Sequence, residues 1–136
     1  METTVDIVKV ICPLYIDLPR KTKKDKRIYI NMNTYRNLHY VVSNKVKKMY
    51  LEAVREQLEG ITIQTPVCVT YKVFKGTARR LDKINVISVT SKFLLDAVTE
   101  LGCWEDDSDD FVKTEIIWST EIDRGHPRVE VEFISI

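Results

Sequence analysis

A chain of 136 residues has the length of one domain and is large enough to bury a single hydrophobic core. A hydrophobic content of 44%, a charged content of 30% and a net charge of +1 describe an ordinary soluble globular protein, and no apolar run approaches the roughly 20 residues of a membrane-spanning helix. The N-terminal sequence METTVDIVKV has an acid at Glu2 and no basic flank before an apolar stretch, so we do not expect a signal peptide.

The beginning of the chain predicts strands joined by a basic loop. Residues 4–16, TVDIVKVICPLYI, favour a strand that is broken at Pro13. Residues 19–27, PRKTKKDKR, are typical of an exposed loop. Residues 28–30 then predict a short strand.

A long helix is predicted next. Asn33 or Thr34 supplies a side chain that can cap its N-terminus, and the pattern continues to about Leu58. Gly60 ends it. The apolar residues that recur at helical spacing are Val41, Val42, Val46, Met49, Tyr50, Ala53, Val54 and Leu58.

A strand, a basic turn and a second helix follow. Residues 61–74 alternate and are rich in β-branched side chains, which predicts a strand, and Pro66 indicates an edge position or a bend. Residues 75–83, KGTARRLDK, predict the basic turn. The second helix is predicted over residues 83–101, with Gly102 as its C-terminal cap.

Residues 112–119 and 128–135 predict two further strands, which we expect to form a hairpin. The sum is a mixed α/β (α+β) fold with a sheet of about four strands and two long helices. We expect one domain over residues 1–136, because no linker or internal repeat interrupts the chain.

The cysteines and histidines do not form a metal-binding pattern. Cys12, Cys68 and Cys103 are odd in number and far apart, and His39 and His126 are isolated. This spacing argues against a structural zinc site and against a disulfide scaffold. We therefore expect buried thiols in a reducing compartment, the cytoplasm.

The small net charge conceals two oppositely charged regions. From Asp96 to Asp110 there are seven acids and no base. A basic region attracts polyanions and an acidic one holds cations, so the chain can bind a phosphate backbone and carry a metal to it. The basic region runs from Arg20 to Lys48 and contains one acid, Asp25. Its basic residues are Arg20, Lys21, Lys23, Lys24, Lys26, Arg27, Arg36, Lys45, Lys47 and Lys48.

A line of polar residues runs along the otherwise apolar second helix. Asn85, Ser88, Lys92 and Asp96 are separated by three, four and four residues, so they share one face. Asp82 stands at the helix entrance. Such a sparse line is typical of a functional site; the alternative is that Asp82 is an N-terminal cap and that Lys92 and Asp96 form a surface ion pair.

Five carboxylates within six residues, from Glu105 to Asp110, follow the second helix. A calcium-binding EF-hand is excluded, because counting from Asp106 puts Phe111 where glycine is required and Ile117 where glutamate is required. The remaining readings are a metal site and a solvated loop.

Taken together, these segments resemble the RusA family of Holliday junction resolvases, and especially its bacteriophage members. The resemblance covers most of the chain. It is carried, in order, by YINMNTYRNLHYVVSNKVKK (29–48), DKINV (82–86), KFLLDAV (92–98), ELGCWEDD (100–107) and HPRVEV (126–131).

The resemblance implies a homodimeric, Mg²⁺-dependent endonuclease, with Mn²⁺ as a substitute, that cuts four-way DNA junctions. Its metal-binding carboxylates fall on Asp82, at the start of the second helix, and on the pair Asp106 and Asp107 after it. The family's helix lysine falls on Lys92, and Asp96 lies where the family usually has an acid. Asp82, Lys92 and Asp107 are thus the implied catalytic residues.

One motif departs from the family pattern. The family has two acids one residue apart, D-L-D, whereas this chain has R-L-D, with Arg80 in the first position. Asn85 stands in D-x-x-N and is a candidate replacement ligand. The implied metal set is therefore Asp82, Asn85, Asp96, Asp106 and Asp107.

The basic segments are the predicted DNA-binding surface. Phosphate contacts of this kind carry no sequence information and make binding depend strongly on salt. We expect branched DNA and a second copy of the chain as partners, and neither a membrane nor an organic cofactor. The predicted phosphate-binding residues are Lys21, Lys23, Lys24, Lys26, Arg27, Lys75, Arg79 and Arg80.

Three other functions remain open at this point. One is a nuclease that cuts forks or flaps during phage replication. Another is a DNA-binding module whose catalytic site has degenerated, with Arg80 marking the loss. The last is a domain whose charge runs are only solvated surface.

Overall fold

The computed structural model describes residues 3–136, so Met1 and Glu2, the first residues of the stretch in which no signal peptide is expected, lie outside the described residues. The helices are α1 (Met32–Arg36), α2 (Tyr40–Leu58) and α3 (Lys83–Glu100). The strands, in chain order, are β1 (Thr3–Val5), β2 (Ile7–Cys12), β3 (Tyr15–Leu18), β4 (Lys26–Tyr29), β5 (Ile61–Ile63), β6 (Val67–Lys75), β7 (Val112–Ile117), β8 (Glu121–Ile122) and β9 (Arg128–Ser135).

A mixed five-stranded sheet forms the base of this single α+β domain. Its order is β2-β9-β6-β7, and the short β8 also pairs with β6. Strand β9 is antiparallel to both of its neighbours, whereas β7 and β8 run parallel to β6. Val129, Val131 and Phe133 of β9 are fully buried and alternate with partly exposed residues, as expected for a strand with one face in the core. The predicted mixed sheet is confirmed, with five strands instead of about four.

Two long helices complete the core, as predicted. Helix α2 contacts β2 and α3, and α3 also contacts β6. Tyr50 of α2 packs edge-on against Phe93 of α3, with 5.5 Å between ring centroids. Gly60 and Gly102 follow the two helices with φ of 76°, a left-handed conformation that glycine adopts without strain, so both predicted helix ends are confirmed.

The first predicted helix is in fact two helices. Helix α1 begins after Asn31, whose side chain accepts a hydrogen bond from the Thr34 amide, so Asn31 is the N-cap in place of Asn33 or Thr34. Asn37 ends α1, and its side chain donates to the Asn33 carbonyl. Asparagine competes for backbone groups in this way, which interrupts a helix that the apolar spacing alone predicts to be continuous.

The predicted C-terminal hairpin is wrong. Strands β7 and β9 lie on opposite sides of β6, with Tyr71 opposite Ile117 on one side and opposite Val131 on the other. The connection from β7 to β9 includes β8 and passes the end of β6. Strand propensity identifies both strands but contains no information about which neighbour each one chooses.

Two strand boundaries also differ from the prediction. The strand expected over residues 61–74 is divided into β5 and β6 before and after Pro66, and β6 lies inside the sheet; Pro66 therefore marks a bend and not an edge. Lys26 and Arg27, predicted in a loop, belong to β4. Strands β3 and β4 form a separate antiparallel ribbon, called the basic ribbon below, which pairs Tyr15 with Tyr29.

The cysteine side chains are buried thiols, as predicted. Burial raises the pKa of the Cys12 thiol to about 12. Within residues 3–136, no helix combines the length and the apolar character needed to cross a bilayer.

Candidate nucleic-acid interface and acidic site

Basic side chains from three separate segments line one cleft, which we call the arginine cleft. Its volume is about 460 Å³. None of the residues that line it is an Asp or a Glu, so its electrostatic potential favours anions. The basic residues of the arginine cleft are Arg27, Lys75, Arg79, Arg80 and Arg124.

The basic ribbon forms one wall of the arginine cleft. The Arg27 guanidinium stacks on the Tyr15 ring, with 3.7 Å to the ring centroid, and its Nε donates to Asp17 Oδ1 at 3.0 Å. The hydrogen bond with Asp17 raises the pKa of Arg27, so this side chain stays charged. Stacking and pairing hold the guanidinium in a defined orientation.

The connection between β6 and α3 forms the opposite wall. Lys75 Nζ donates to the Arg79 carbonyl at 2.8 Å, which fixes the turn. A Cβ atom added to Gly76 would lie 2.8 Å from Pro127 Cγ, so glycine is required for this close approach. The turn therefore presents Arg79 and Arg80 to the cleft from a braced backbone.

The structure separates the eight predicted DNA-binding residues into two groups. Arg27, Lys75, Arg79 and Arg80 meet in the arginine cleft. The other four are exposed at the tip of the basic ribbon, where Arg20 Nε donates to the Lys24 carbonyl; they are Lys21, Lys23, Lys24 and Lys26. Sequence reasoning missed Arg124, because a single arginine in the 118–127 connection gives no charge-run signal.

The structure divides the predicted metal ligands: Asp82 and Asn85 stand at the start of α3, apart from Asp96, Asp106 and Asp107, whose charges act on one another. Asp82 caps α3: its Oδ1 accepts hydrogen bonds from the amides of Ile84 and Asn85 at 3.1 and 3.3 Å. Asp106 and Asp107 follow the other end of α3, and an 18-residue helix is about 27 Å long. The segment after Gly102 folds back along α3, so that Asp107 lines one cleft with Ser91 and Leu95. Ser91 is nine residues, or about 13 Å, along the helix from Asp82.

Two further predicted site residues, Asp96 and Lys92, contact α2 and α1. Asp96 forms an ion pair with Lys47 of α2, with 3.0 Å between Oδ2 and Nζ. Lys92 Nζ lies 5.9 Å from the centroid of the Tyr35 ring of α1. The polar line of α3 thus supplies a cap at its start and contacts between helices further along.

Asp107 lies in the most acidic part of the molecule. Partial burial raises its pKa, and the negative charges of Asp106 and Asp96 raise it further. The turn that carries Asp107 is anchored by Trp104, which is buried and whose Nε1 donates to Thr99 Oγ1 at 2.6 Å. A nearby cation would relieve the repulsion among these carboxylates.

A second acid that sequence reasoning missed lines the same small cleft as Asp107. Glu115 of β7 accepts a hydrogen bond from the Tyr71 hydroxyl at 2.7 Å and from Ser91 at 3.3 Å. Asp109 also lines this cleft, whose volume is about 330 Å³. The β-strand alternation of β7 shows that Glu115 points away from Thr114, but only the position of α3 shows that it lies near Asp107.

These carboxylates could provide a two-carboxylate metal site but not a complete all-protein one. Among residues 3–136, no group of three or more His, Cys, Asp or Glu side chains is arranged to hold a metal ion. Magnesium is often held by one or two carboxylates together with water and the phosphates of a substrate. Asp106 and Asp107 meet that smaller requirement, whereas the five-residue set implied by the sequence does not.

Comparison with known proteins adds no assignment. No model of a known protein family matches this chain. No curated protein matches it either. The functional assignment therefore depends on the arginine cleft, the carboxylates after α3 and the sequence motifs.

Proposed function

We propose that this chain is a metal-dependent endonuclease of the RusA type that binds branched DNA and cuts four-way junctions by paired hydrolysis of phosphodiester bonds. The observation that carries the proposal is the arginine cleft, which is lined by five basic side chains from three segments and by no Asp or Glu; of the five, Arg27 is paired with Asp17 beside the cleft. An anionic backbone is the ligand that such a surface selects.

Binding is divided between the arginine cleft and the basic ribbon. Arginine guanidinium groups match the geometry of phosphate oxygens, so Arg79, Arg80 and Arg124 fix the position of the backbone. The exposed lysines at the ribbon tip extend this contact along an arm of the DNA. Such contacts orient the substrate without reading its sequence.

Cleavage belongs to the carboxylates after α3. Asp106 and Asp107 would hold Mg²⁺ or Mn²⁺. Partial burial raises the pKa of Asp107, the charges of Asp106 and Asp96 raise it further, and a cation would offset that negative charge. The chemistry that such a metal would supply is an activated water and stabilisation of charge on the phosphoryl oxygens. Lys92 is a further candidate contact to the substrate, on the face of α3 next to α1. Asp82 is assigned to helix capping.

We further propose that the working form is a homodimer in the cytoplasm of a bacterial host. Strand β7 ends the path of the main sheet and exposes large apolar side chains, with Trp118 directly after it 53% exposed. An edge strand with exposed apolar residues is a natural surface for self-association. A two-fold dimer presents two cutting sites to two strands, which suits a function in DNA recombination and repair.

The second candidate is a DNA-binding module that does not cut. The specific observation in its favour is that Asp82 is committed to its helix and that the described residues form no three-ligand site. Arg80, in place of the first acid of the family motif, agrees with this reading.

A labelled synthetic four-way junction distinguishes these functions. We expect symmetric nicks with Mg²⁺ or Mn²⁺, none without a divalent ion, and none with Asp107→Asn, which must still bind the junction. Asp110→Asn, in the same acidic segment, is the matched control and should cut normally. Tight junction binding without nicks in either metal would exclude the nuclease and support the DNA-binding module that does not cut. Faster cutting of a fork than of the junction would identify the fork or flap nuclease.

A further inference from the structure

The arginine cleft has a property that phosphate binding does not require. Its walls include apolar and aromatic side chains, among them Leu14, Leu81, Val86 and Pro127. Phosphate contacts are made on polar, hydrated surfaces, whereas a pocket of mixed apolar and polar lining fits an organic group. A volume of about 460 Å³ lies within the roughly 300–1,000 Å³ of small-molecule sites.

Two tyrosines of the basic ribbon line the arginine cleft; one ring is covered by an arginine and the other is exposed. Tyr15 and Tyr29 meet edge to face, with centroids 6.1 Å apart and an interplanar angle of 68°. Arg27 covers the face of Tyr15. Tyr29 lines the cleft and is 52% exposed, so a planar ligand can stack on it.

Aromatic rings beside arginines are the elements that bind unpaired nucleotides. Every base has a π-face that can stack on an aromatic side chain, while basic groups hold the adjoining phosphates. In a paired duplex both faces of a base are covered by its neighbours, so only an unpaired base can stack on Tyr29.

We propose that the arginine cleft takes one unpaired nucleotide of branched DNA, with its base stacked on Tyr29 and its flanking phosphates held by Arg79, Arg80 and Arg124. The inference rests on the proposed DNA binding and adds to it a preference for distorted over intact duplex. The cleft is thereby the part of the molecule that recognises a branch point, where the continuous stacking of the duplex is interrupted and a base leaves the stack at lower cost.

The test uses two short duplexes that differ in one position, one fully paired and one with a single unpaired 2-aminopurine. We expect the wild-type chain to bind the unpaired form about tenfold more tightly, which is the size of one base–aromatic stack, and to quench the 2-aminopurine fluorescence. Tyr29→Leu should remove the quenching and bring the affinity ratio close to one. Tyr29→Phe keeps the ring and should retain both.

Tyr40→Leu is the matched control, because Tyr40 is 73% exposed at the start of α2, outside the cleft. It should leave the affinity ratio unchanged. Equal wild-type affinity for the two duplexes, or a preference that survives in Tyr29→Leu, overturns this inference and leaves the proposed DNA binding intact. Failure to bind either duplex and the four-way junction overturns both. An excess of a free nucleoside monophosphate that displaces the duplexes equally would show a mononucleotide site and would also overturn it.

Discussion

Asp82 is compatible by residue type with a helix N-cap and with a metal ligand, and in the structure it is the N-cap of α3. A carboxylate before a helix is a frequent N-cap, and the same residue type is a frequent metal ligand. Its hydrogen bonds to the Ile84 and Asn85 amides satisfy two donors that the first turn of α3 leaves open.

We expect Asp82→Ala to lower the free energy of unfolding by about 1 kcal/mol, because alanine cannot cap the helix. Asp82→Asn should keep nearly all of the stability, since asparagine caps about as well as aspartate. Urea unfolding monitored by circular dichroism measures both. If Asp82→Asn abolishes junction cutting while its stability is unchanged, Asp82 is a ligand and the capping assignment is incomplete.

At the residue scale, the sequence was sufficient to find the clustered basic residues. It was insufficient to find isolated charged residues that lie near the site residues in the folded chain. Counting charges identified Arg27, Arg79 and Arg80, because basic runs are visible in one dimension. Arg124 and Glu115 are single charges in segments with no run, and their importance comes from tertiary neighbours. The distance from Asp82 to Asp107 could not be calculated from the helix length alone, because the segment after Gly102 folds back along α3 to Ser91 and Leu95.

At the element scale, local signals and long-range pairing have different sources. The ends of α3 depend on Asp82 and Gly102, both of which act within one turn, so they could be predicted. The position of β6 between β7 and β9 depends on packing across the whole core. This is why both strands were correctly predicted and their hairpin was not.

The turn from β6 to α3 gives a test at this scale. We expect Gly76→Ala to push the turn away from Pro127, because the added methyl would lie 2.8 Å from Pro127 Cγ. Overpacking of this kind typically costs about 1–3 kcal/mol, and the displaced Arg79 and Arg80 should weaken DNA binding as well. Thermal unfolding and fluorescence anisotropy with a labelled junction measure the two effects.

Gly125→Ala is the control for that substitution. Gly125 lies in the β8–β9 connection, and the nearest atom to its added Cβ would be Asp123 Oδ1 at 3.7 Å, an ordinary contact. It should unfold and bind like the wild type. Unchanged stability and binding in Gly76→Ala would show that the turn is not braced against Pro127.

At the scale of the whole molecule, the charge distribution and the sheet edge determine the assemblies that we expect. The basic ribbon is a two-stranded unit separate from the main sheet, and its Ile16 and Ile28 pack into the core. Its lysines are exposed, so their contribution to DNA binding should be almost purely electrostatic.

Replacing Lys21, Lys23 and Lys24 together by alanine should reduce the slope of log K against log salt by up to about 0.9 for each phosphate that the variant no longer neutralises. The slope is measured by titrating a labelled junction at several salt concentrations. The control replaces Lys45 and Lys48, two exposed lysines of α2 outside the basic ribbon, and should leave the slope as it is. An unchanged slope in the ribbon variant would show that the basic ribbon does not contact the DNA phosphates.

The edge of the main sheet gives the test of self-association. We expect Trp118→Lys to weaken dimerisation by at least about tenfold, because a charge at an apolar contact costs more than about 1.4 kcal/mol when it is unpaired. Ile7→Lys is the matched control: Ile7 is 59% exposed on β2, at the opposite edge of the same sheet. Light scattering coupled to gel filtration reports the mass. A wild-type chain that is monomeric at all concentrations contradicts the dimer proposal.

The length of α3 has a consequence for where a cut would fall. Ser91 and Leu95, which line the same cleft as Asp107, lie about 12–18 Å along the axis of α3 from Lys83. One strand of B-form DNA has a phosphate about every 3.4 Å along the duplex axis, so this distance matches about four or five nucleotide steps. With the arginine cleft at the start of α3 and Asp107 beside the Ser91–Leu95 part of the same helix, the rigid helix acts as a molecular ruler. We expect the cleaved bond to stand at a constant register from the branch, set by the protein and not by the bases between them.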